Sequence, residues 1–329
     1  MNVIEKVKFI ILIISACALL SFGKDSSSPS DTNSPSISDS TTPVVINEHI
    51  HSSLPADWIN EYNTIMSNLK NLLPLYQTYY NSIDIYAWND KVSNPYLGID
   101  GGAYISVKNN DDNQKLFVIE ISNNEFLCNH IHRYSVIAHE YFHTYQMTLN
   151  SHMNKYDDHP TSFKTKWLIE GAAASFESLY TQQYFNINYF LSGQTKVDSD
   201  ATQNPSIFKN YDSQDKDVNY SSSVFLVLVL VKELQLAGHS EAKAFKLIFK
   251  DFMQANPNKK TWQDVFQTTF NMSVSDFYTK VSGYNPSMHT VLPSTSLTLE
   301  SIFSYVPGDG AVVDAKWKLA TTWSVLKMH

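Results

Sequence analysis

Cysteine is almost absent from this sequence, which holds two in 329 residues. Cys17 lies in an apolar run near the N-terminus, and Cys128 stands alone in the rest of the chain. A mature domain that had lost its first residues would retain one cysteine. No intramolecular disulfide could then form, so the fold must depend on its hydrophobic core.

Basic residues are also few, since 24 Lys and Arg face 32 Asp and Glu and give a net charge of -8. The basic residues form no run and no stripe. Nucleic-acid binding depends on clustered positive charge, so nucleic acid is excluded as an expected partner. The apolar run at residues 9–20 is too short for a transmembrane helix and is typical of the core of a signal peptide.

Residues 1–23 therefore predict an export signal, with two lysines ahead of the apolar run. Three fates remain open. Cleavage after "SFG" would release a secreted protein, whereas residues 14–17 (ISAC) are similar to a bacterial lipobox, which would leave Cys17 lipidated. In the third, the segment stays as an uncleaved anchor. We expect the protein to be exported, and either secreted or lipid-anchored at the cell surface.

The pattern along the chain predicts an α+β fold. Residues 24–43 are rich in Ser, Thr, Pro and Asp and predict a disordered tether. A domain is predicted over residues 44–284, and residues 285–329 form a tail of unassigned structure. Short runs typical of strands ("IDIYAW", "GGAYISV", "KLFVIEIS") come first, and segments with helical periodicity follow. We expect a small β-containing lobe that carries the active-site helix, then a mainly helical lobe.

The stretch "VIAHEYFHTYQ" at residues 136–146 is the first candidate site. On a helix, His139 and His143 share a face, so both imidazoles could direct a nitrogen to one point. Glu140 is rotated by about 100° from His139, which places it beside a bound metal but not on it. A catalytic zinc takes three protein ligands, so two histidines that share a helix by chance remain the alternative until a third ligand is found.

The stretch "WLIEGAAASFE" at residues 167–177 offers that third ligand. Glu170 follows His143 by 27 residues, which is enough for a loop and a returning helix. Gly171 and the alanines at 172–174 are expected to let this helix approach the first one closely. Glu177 lies two turns further along the same face and could hydrogen-bond a ligating histidine, although a packing or solvent-facing carboxylate is the alternative.

"HEYFH" followed by "WLIEGAAASFE" resembles the motif pair of the gluzincin (glutamate-zincin) metallopeptidases, especially the aminopeptidase N-like pattern H-E-x-x-H with W-L-x-E-G-x-A-x-x-x-E. The resemblance spans residues 83–281 and implies a zincin-like two-lobed domain with one catalytic Zn²⁺. It implies that His139, His143 and Glu170 bind the zinc. It also implies that Glu140 is the general base of peptide hydrolysis.

The resemblance extends to a tyrosine that opens an apolar helix and stabilises the oxyanion in these enzymes. Tyr220 opens "YSSSVFLVLVLVKELQLAG" and matches that position, although the glycine of the pattern is missing. His289 is an alternative donor, because thermolysin-like sites use a histidine for this purpose. The strand-like run at residues 115–122 (KLFVIEIS) is predicted to be the edge strand that aligns an extended substrate.

Two departures from the aminopeptidase pattern affect the predicted activity. The gap between His143 and Glu170 is closer to that of collagenase-type enzymes, and the G-x-M-E-N segment that reads a free amino terminus is absent. We therefore predict a monomeric zinc metallopeptidase that acts as an endopeptidase on peptides or proteins. A catalytically inactive zinc-bearing surface lipoprotein that binds a partner is the alternative. Cys128 is expected to be a buried inert thiol rather than a latency switch on the zinc.

Overall fold

The computed structural model describes residues 42–109, 111–150, 165–211, 215–255 and 261–304. The predicted signal with Cys17 lies outside the described residues, as does nearly all of the predicted tether and the tail from residue 305 onward.

A single mixed sheet of four strands opens the described chain, in the order β1-β2-β4-β3. β1, β2 and β4 run parallel, and β3 runs antiparallel to β4. The parallel pair β1–β2 needs a crossover, which the first helix, α1, supplies. The bounds are β1 (Val45–Ile50), α1 (Ala56–Leu72), β2 (Ser82–Asn89), β3 (Ala103–Lys108) and β4 (Asp111–Ile121).

Strands β2, β3 and β4 confirm the strand predictions, and α1 ends before Pro74 as its sequence indicates. β1 was not predicted, because its "VINEHI" sequence is mostly exposed and lacks the alternation that marks a strand. The assignment of residues 115–122 to an edge strand was wrong. Residues 115–121 belong to β4, which pairs with β2 on one side and β3 on the other. The apolar run at residues 116–119 is typical of an interior strand with both faces covered.

Helices and the loops between them make up the rest of the described chain. The helices after β4 are α2 (Asn123–Leu127), α3 (His132–Leu149), α4 (Lys166–Phe185), α5 (Tyr189–Ser192), α6 (Asp200–Gln203), a 3₁₀ turn (Pro205–Lys209), α7 (Lys216–Leu236), α8 (Glu241–Lys246), a π turn (Leu247–Asp251), α9 (Phe252–Gln254), α10 (Trp262–Phe270), α11 (Val274–Val281), a second 3₁₀ turn (Met288–Thr290) and α12 (Leu299–Phe303). The structure is therefore mixed α+β, as predicted.

Local sequence explains where the principal helices start and stop. Asp215 caps α7 by accepting hydrogen bonds from the backbone N–H groups of Asp217 and Val218. Gly238 follows the helix with φ 98°, a left-handed conformation that glycine adopts without strain. A capping box between Thr261 and Asp264 begins α10.

One face of the sheet and the helices share the main hydrophobic core. α7 lies deep in it, since every side chain from Val224 to Val231 is at most 1% exposed. Within the described part of the chain, no helix has the length and apolar character to span a bilayer. Four residues of the segment beyond 284 also lie in this core, namely Met288, Val291, Leu299 and Ile302. The folded domain thus extends past its predicted boundary, at least to α12.

Candidate metal centre

Helix α3 carries the two histidines of the first motif on a well-supported scaffold. It packs against α4 and against strands β3 and β4 of the sheet. Residues on its core side, including Ile137, Ala138 and Phe142, are fully buried. Because the backbone is held on several sides, His139 and His143 have a fixed separation, with ring centroids 4.9 Å apart.

Helix α4 brings the predicted third ligand to the same point. Glu170 Oε2 lies 3.2 Å from His143 Nε2 and 3.5 Å from His139 Nε2. The two Nε2 atoms are 3.1 Å apart. A tetrahedral ion with ligands about 2.0–2.2 Å away holds neighbouring ligand atoms about 3.3–3.6 Å apart. The three atoms therefore lie close to the spacing that one such ion would impose, and they could hold a metal ion.

Glu177 fixes the tautomer of His139. Its Oε2 lies 3.1 Å from His139 Nδ1, and its Oε1 accepts a hydrogen bond of 2.5 Å from the Ser135 hydroxyl. A carboxylate only accepts hydrogen bonds, so Nδ1 must carry the proton and the neutral imidazole presents the lone pair of Nε2 to the centre. The prediction that Glu177 hydrogen-bonds a histidine of the motif agrees with this placement.

Gln146 does the same for His143, and no sequence motif marks it for this role. The buried Gln146 amide donates from Nε2 to the Ile169 carbonyl oxygen, at 3.3 Å. This orientation turns its Oε1 toward His143 Nδ1, at 2.8 Å. Nδ1 must therefore donate, which leaves the Nε2 lone pair for the centre. Gln146 also connects the second histidine to the residue before Glu170.

Both imidazoles and one carboxylate thus aim lone pairs at a common point. Such an arrangement is repulsive unless a cation or a proton occupies it. Burial opposes ionisation of Glu170, but the charge of His143 and the hydrogen bonds from both histidines outweigh it and lower the pKa of that carboxyl well below its usual value. Burial also disfavours the charged form of His139, yet the hydrogen bonds that its ring donates to the carboxylates of Glu170 and Glu177 raise its pKa. The surroundings therefore favour positive charge at the centre.

Glu140 lies beside this centre and is 7% exposed. Burial raises the pKa of its carboxyl above the ordinary value, and the neighbouring histidines His139 and His143 offset only part of that rise. Among the hydrogen bonds of the described residues, its carboxylate takes part in none that ties it to the protein. A carboxylate with these properties is suited to accept a proton from a group bound at the centre.

Tyr220, in the first turns of α7, lies against the same centre. Its ring is edge-on to the His139 ring, with centroids 5.9 Å apart. The negative charge of Glu170, followed by burial, raises the pKa of its hydroxyl, which therefore stays protonated and able to donate. His289 instead lies exposed in the second 3₁₀ turn, with no described contact to the centre.

One of the small residues after Glu170, Gly171, acts differently from the prediction. Gly171 faces α7 and not α3, because a Cβ atom on it would lie 2.5 Å from the backbone oxygen of Ser223. Tyr220 lies one turn before Ser223 on α7. The close approach of α4 and α7 therefore places Tyr220 near Glu170. Sequence spacing does not reveal which neighbour a small residue faces.

The sequence pattern gives no role to Tyr211 and misplaces Cys128. Tyr211 packs edge-on against Tyr220, with ring centroids 5.5 Å apart, and no sequence motif marks it. Cys128 is exposed, so the prediction of a buried thiol was wrong. It follows α2 in an exposed turn at residues 128–130 that leads into α3.

A comparison with models of protein families gives no match to the chain, and a comparison with curated proteins gives none either.

Proposed function

We propose that the protein is a zinc-dependent metallopeptidase of the gluzincin type that hydrolyses internal peptide bonds. The observation that supports it best is the convergence of the Nε2 atoms of His139 and His143 with Glu170 Oε2, at separations of 3.1–3.5 Å. In this proposal the sheet and α3 form one lobe of a zincin-like domain, and the helices that follow α3 form the other.

The donor set favours a transition metal such as zinc over calcium and magnesium. Two imidazole nitrogens and one carboxylate oxygen are the ligand set of a known class of catalytic zinc sites, which keep a fourth position open. Calcium and magnesium prefer oxygen donors only. The buried hydrogen-bond acceptors behind both histidines, Glu177 and Gln146, are the kind of support that zinc-binding histidines receive.

A zinc ion held there would supply a Lewis acid that lowers the pKa of a water molecule and polarises a peptide carbonyl. Glu140 would accept a proton from that water, since burial raises the pKa of its carboxyl and the carboxyl lies close enough to His139 and His143 to feel their charge. It would then deliver the proton to the departing amine. The Tyr220 hydroxyl would donate a hydrogen bond to the oxygen that becomes negatively charged during the attack.

Strand β3 would align the substrate. It is an edge of the sheet, pairing with β4 alone among the described strands, and it packs against α3. An extended peptide could add to its free edge by main-chain hydrogen bonds and pass the centre. Recognition of this kind needs no free terminus, which agrees with endopeptidase action.

Export, a tether and a monomeric state complete the proposal. The predicted leader and the polar segment at residues 24–43 would deliver the domain outside the cell, either free or attached through a lipid on Cys17. The rival proposal is a zinc-bearing surface protein without catalysis. Glu140 is superfluous in such a protein, because a site that only holds metal has no use for a base.

The test uses the chain from residue 24 to residue 329 and a library of blocked, quenched-fluorescence peptides. Zinc content and cleavage would be measured for the wild type and for Glu140→Gln. The matched control is Glu233→Gln. Glu233 is a buried carboxylate that binds Lys280 and Tyr284 at the far end of α7, about 20 Å along the helix from Tyr220.

We expect one zinc per chain in all three proteins and cleavage by all except Glu140→Gln. If the wild type carries zinc and cleaves no peptide, the binding-protein proposal replaces this one. If the wild type retains no stoichiometric zinc, both proposals fail.

A further inference from the structure

Three aromatic rings form a row that leads outward from the candidate centre. The Tyr220 ring lies edge-on to His139, at 5.9 Å and an interplanar angle of 72°. Tyr211 lies edge-on to Tyr220, at 5.5 Å and 70°. Edge-to-face pairs at these separations are favourable and define the direction of each ring. Tyr220 is thus held between a ligand of the centre and a second tyrosine.

The backbone of Tyr211 is in a conformation that a bulky residue rarely adopts. Its φ is 60°, in the left-handed region. The other non-glycine residues of the described chain with positive φ are all asparagines, which tolerate that region: Asn109, Asn129, Asn186 and Asn271. Strained backbone of this kind costs on the order of 1–3 kcal/mol and persists where the surrounding structure demands the side-chain position.

The ring of Tyr211, and not its hydroxyl, makes the useful contacts. The hydroxyl oxygen is shielded from solvent, and no atom of the described residues meets the distance and angle of a hydrogen bond to it. The nearby Ser223 hydroxyl already donates to the Asn219 carbonyl oxygen. A substrate could not reach a hydroxyl closed off in this way. The Lys166 ammonium group lies 5.4 Å from the centroid of the Tyr211 ring, within cation–π range, and supports the ring from α4.

We propose that Tyr211 is a positioning residue that fixes the ring of Tyr220 against His139, so that the Tyr220 hydroxyl stays directed at the metal centre. The effect on catalysis rests on the proposed peptidase function, whereas the effect on the Tyr220 ring does not. Tyr211 acts only through Tyr220 and touches neither metal nor substrate.

A double-mutant cycle tests the route of this effect. Tyr211→Leu removes the aromatic ring, Tyr211→Phe retains it, and Tyr220→Phe removes the hydroxyl that is being positioned. In the wild-type background we expect Tyr211→Leu to lower kcat about tenfold, which is the effect of about 1.4 kcal/mol at the transition state, with KM little changed. Tyr211→Phe should restore kcat. In the Tyr220→Phe background, Tyr211→Leu should lower kcat no further.

An equal loss of kcat from Tyr211→Leu in both backgrounds would overturn the proposal, since Tyr211 would then act independently of Tyr220. A loss in Tyr211→Phe as large as in Tyr211→Leu would also overturn it, because the hydroxyl would then be the functional group.

A second readout does not depend on turnover. In a crystal structure of the zinc-loaded Tyr211→Leu protein, we expect the Tyr220 ring to leave its edge-on contact with His139, while the same ring in Tyr211→Phe stays in place. An unmoved Tyr220 ring in Tyr211→Leu would refute the positioning role. If the wild type cleaves no peptide but the ring moves as expected, the proposed function fails and the positioning inference stands.

Discussion

Gly171 on α4 faces the backbone oxygen of Ser223 on α7 so closely that a Cβ atom would lie 2.5 Å from it. Ser223 is one turn after Tyr220 on the same helix. The contact therefore determines how near Tyr220 comes to Glu170, which precedes Gly171. Because Gly171 has no side chain, α4 and α7 come close enough to place Tyr220 beside Glu170.

Gly171→Ala should separate α4 from α7. The added methyl group would clash with the backbone oxygen of Ser223, which cannot rotate away as a side chain could. We therefore expect a loss of about 1–3 kcal/mol in the free energy of unfolding. Tyr220 should move from the centre, and peptide cleavage should fall more than zinc content. The control is Gly283→Ala, where the nearest atom would lie 3.4 Å away at ordinary contact distance. Equal denaturation midpoints for the two variants would show that the helices separate without cost.

Glu177→Gln should weaken metal binding. The exchange removes the negative charge that faces His139 Nδ1 and lies 3.1 Å from it. We expect the dissociation constant for zinc to rise about 10-fold, and about 100-fold for Glu177→Ala. Competition with a chromophoric chelator would measure it, with Glu233→Gln as the matched buried carboxylate. Unchanged affinity in Glu177→Ala would show that His139 needs no acceptor behind it.

Gln146→Leu should also weaken metal binding, through the other histidine. It removes the acceptor of His143 Nδ1 and the hydrogen bond to the Ile169 carbonyl next to Glu170. We expect about a 10-fold rise in the zinc dissociation constant, on the scale of second-layer contacts in metal sites. Gln183→Leu is the control, because Gln183 lies on α4 and bonds to Glu300 at the surface. An equal effect of both substitutions would contradict the prediction.

Lys115→Met should stabilise the protein at neutral pH. Lys115 is fully buried, its ammonium nitrogen has no hydrogen-bond partner among the residues that the structure describes, and the Tyr80 ring lies 5.8 Å away. Burial lowers the pKa of Lys115, and the charges of Asp112 and Asp111 offset this only in part. We expect a gain of about 1 kcal/mol in the free energy of unfolding at pH 7.

The pH dependence of that gain has a definite sign. A lysine whose pKa is lowered in the folded state reduces the free energy of unfolding at pH values below that folded pKa. This loss of stability disappears as the pH rises through the pKa of lysine in the unfolded chain, about 10.4. The gain from Lys115→Met, measured by urea unfolding, should therefore shrink between pH 7 and pH 10.5. Lys70→Met, at an exposed lysine paired with Glu48, should change stability by less than about 0.5 kcal/mol. A gain that is constant with pH would mean that Lys115 is destabilising for packing reasons alone.

The sequence by itself determined the local parts of the candidate site. The four-residue spacing of His139 and His143 requires only that the segment be helical, and its apolar neighbours ensure that. Glu170 and Glu177 follow from the same helical period in a second segment. The α+β class was also readable from runs of alternating and helical periodicity, because these patterns depend on neighbours a few residues apart.

The tertiary structure alone decided which side chains surround that centre and how the strands are arranged. β4 is interior because β2 and β3 pair with both its edges, and no local pattern reports that pairing. Gln146 on α3 is oriented by its hydrogen bond to the Ile169 carbonyl oxygen of α4, and Tyr211 packs against the Tyr220 ring of α7. No local pattern reports either contact. Cys128 is exposed, together with its neighbours Leu127, Asn129 and His130. Contacts between distant segments depend on how whole elements pack, and periodicity within one segment does not specify that packing.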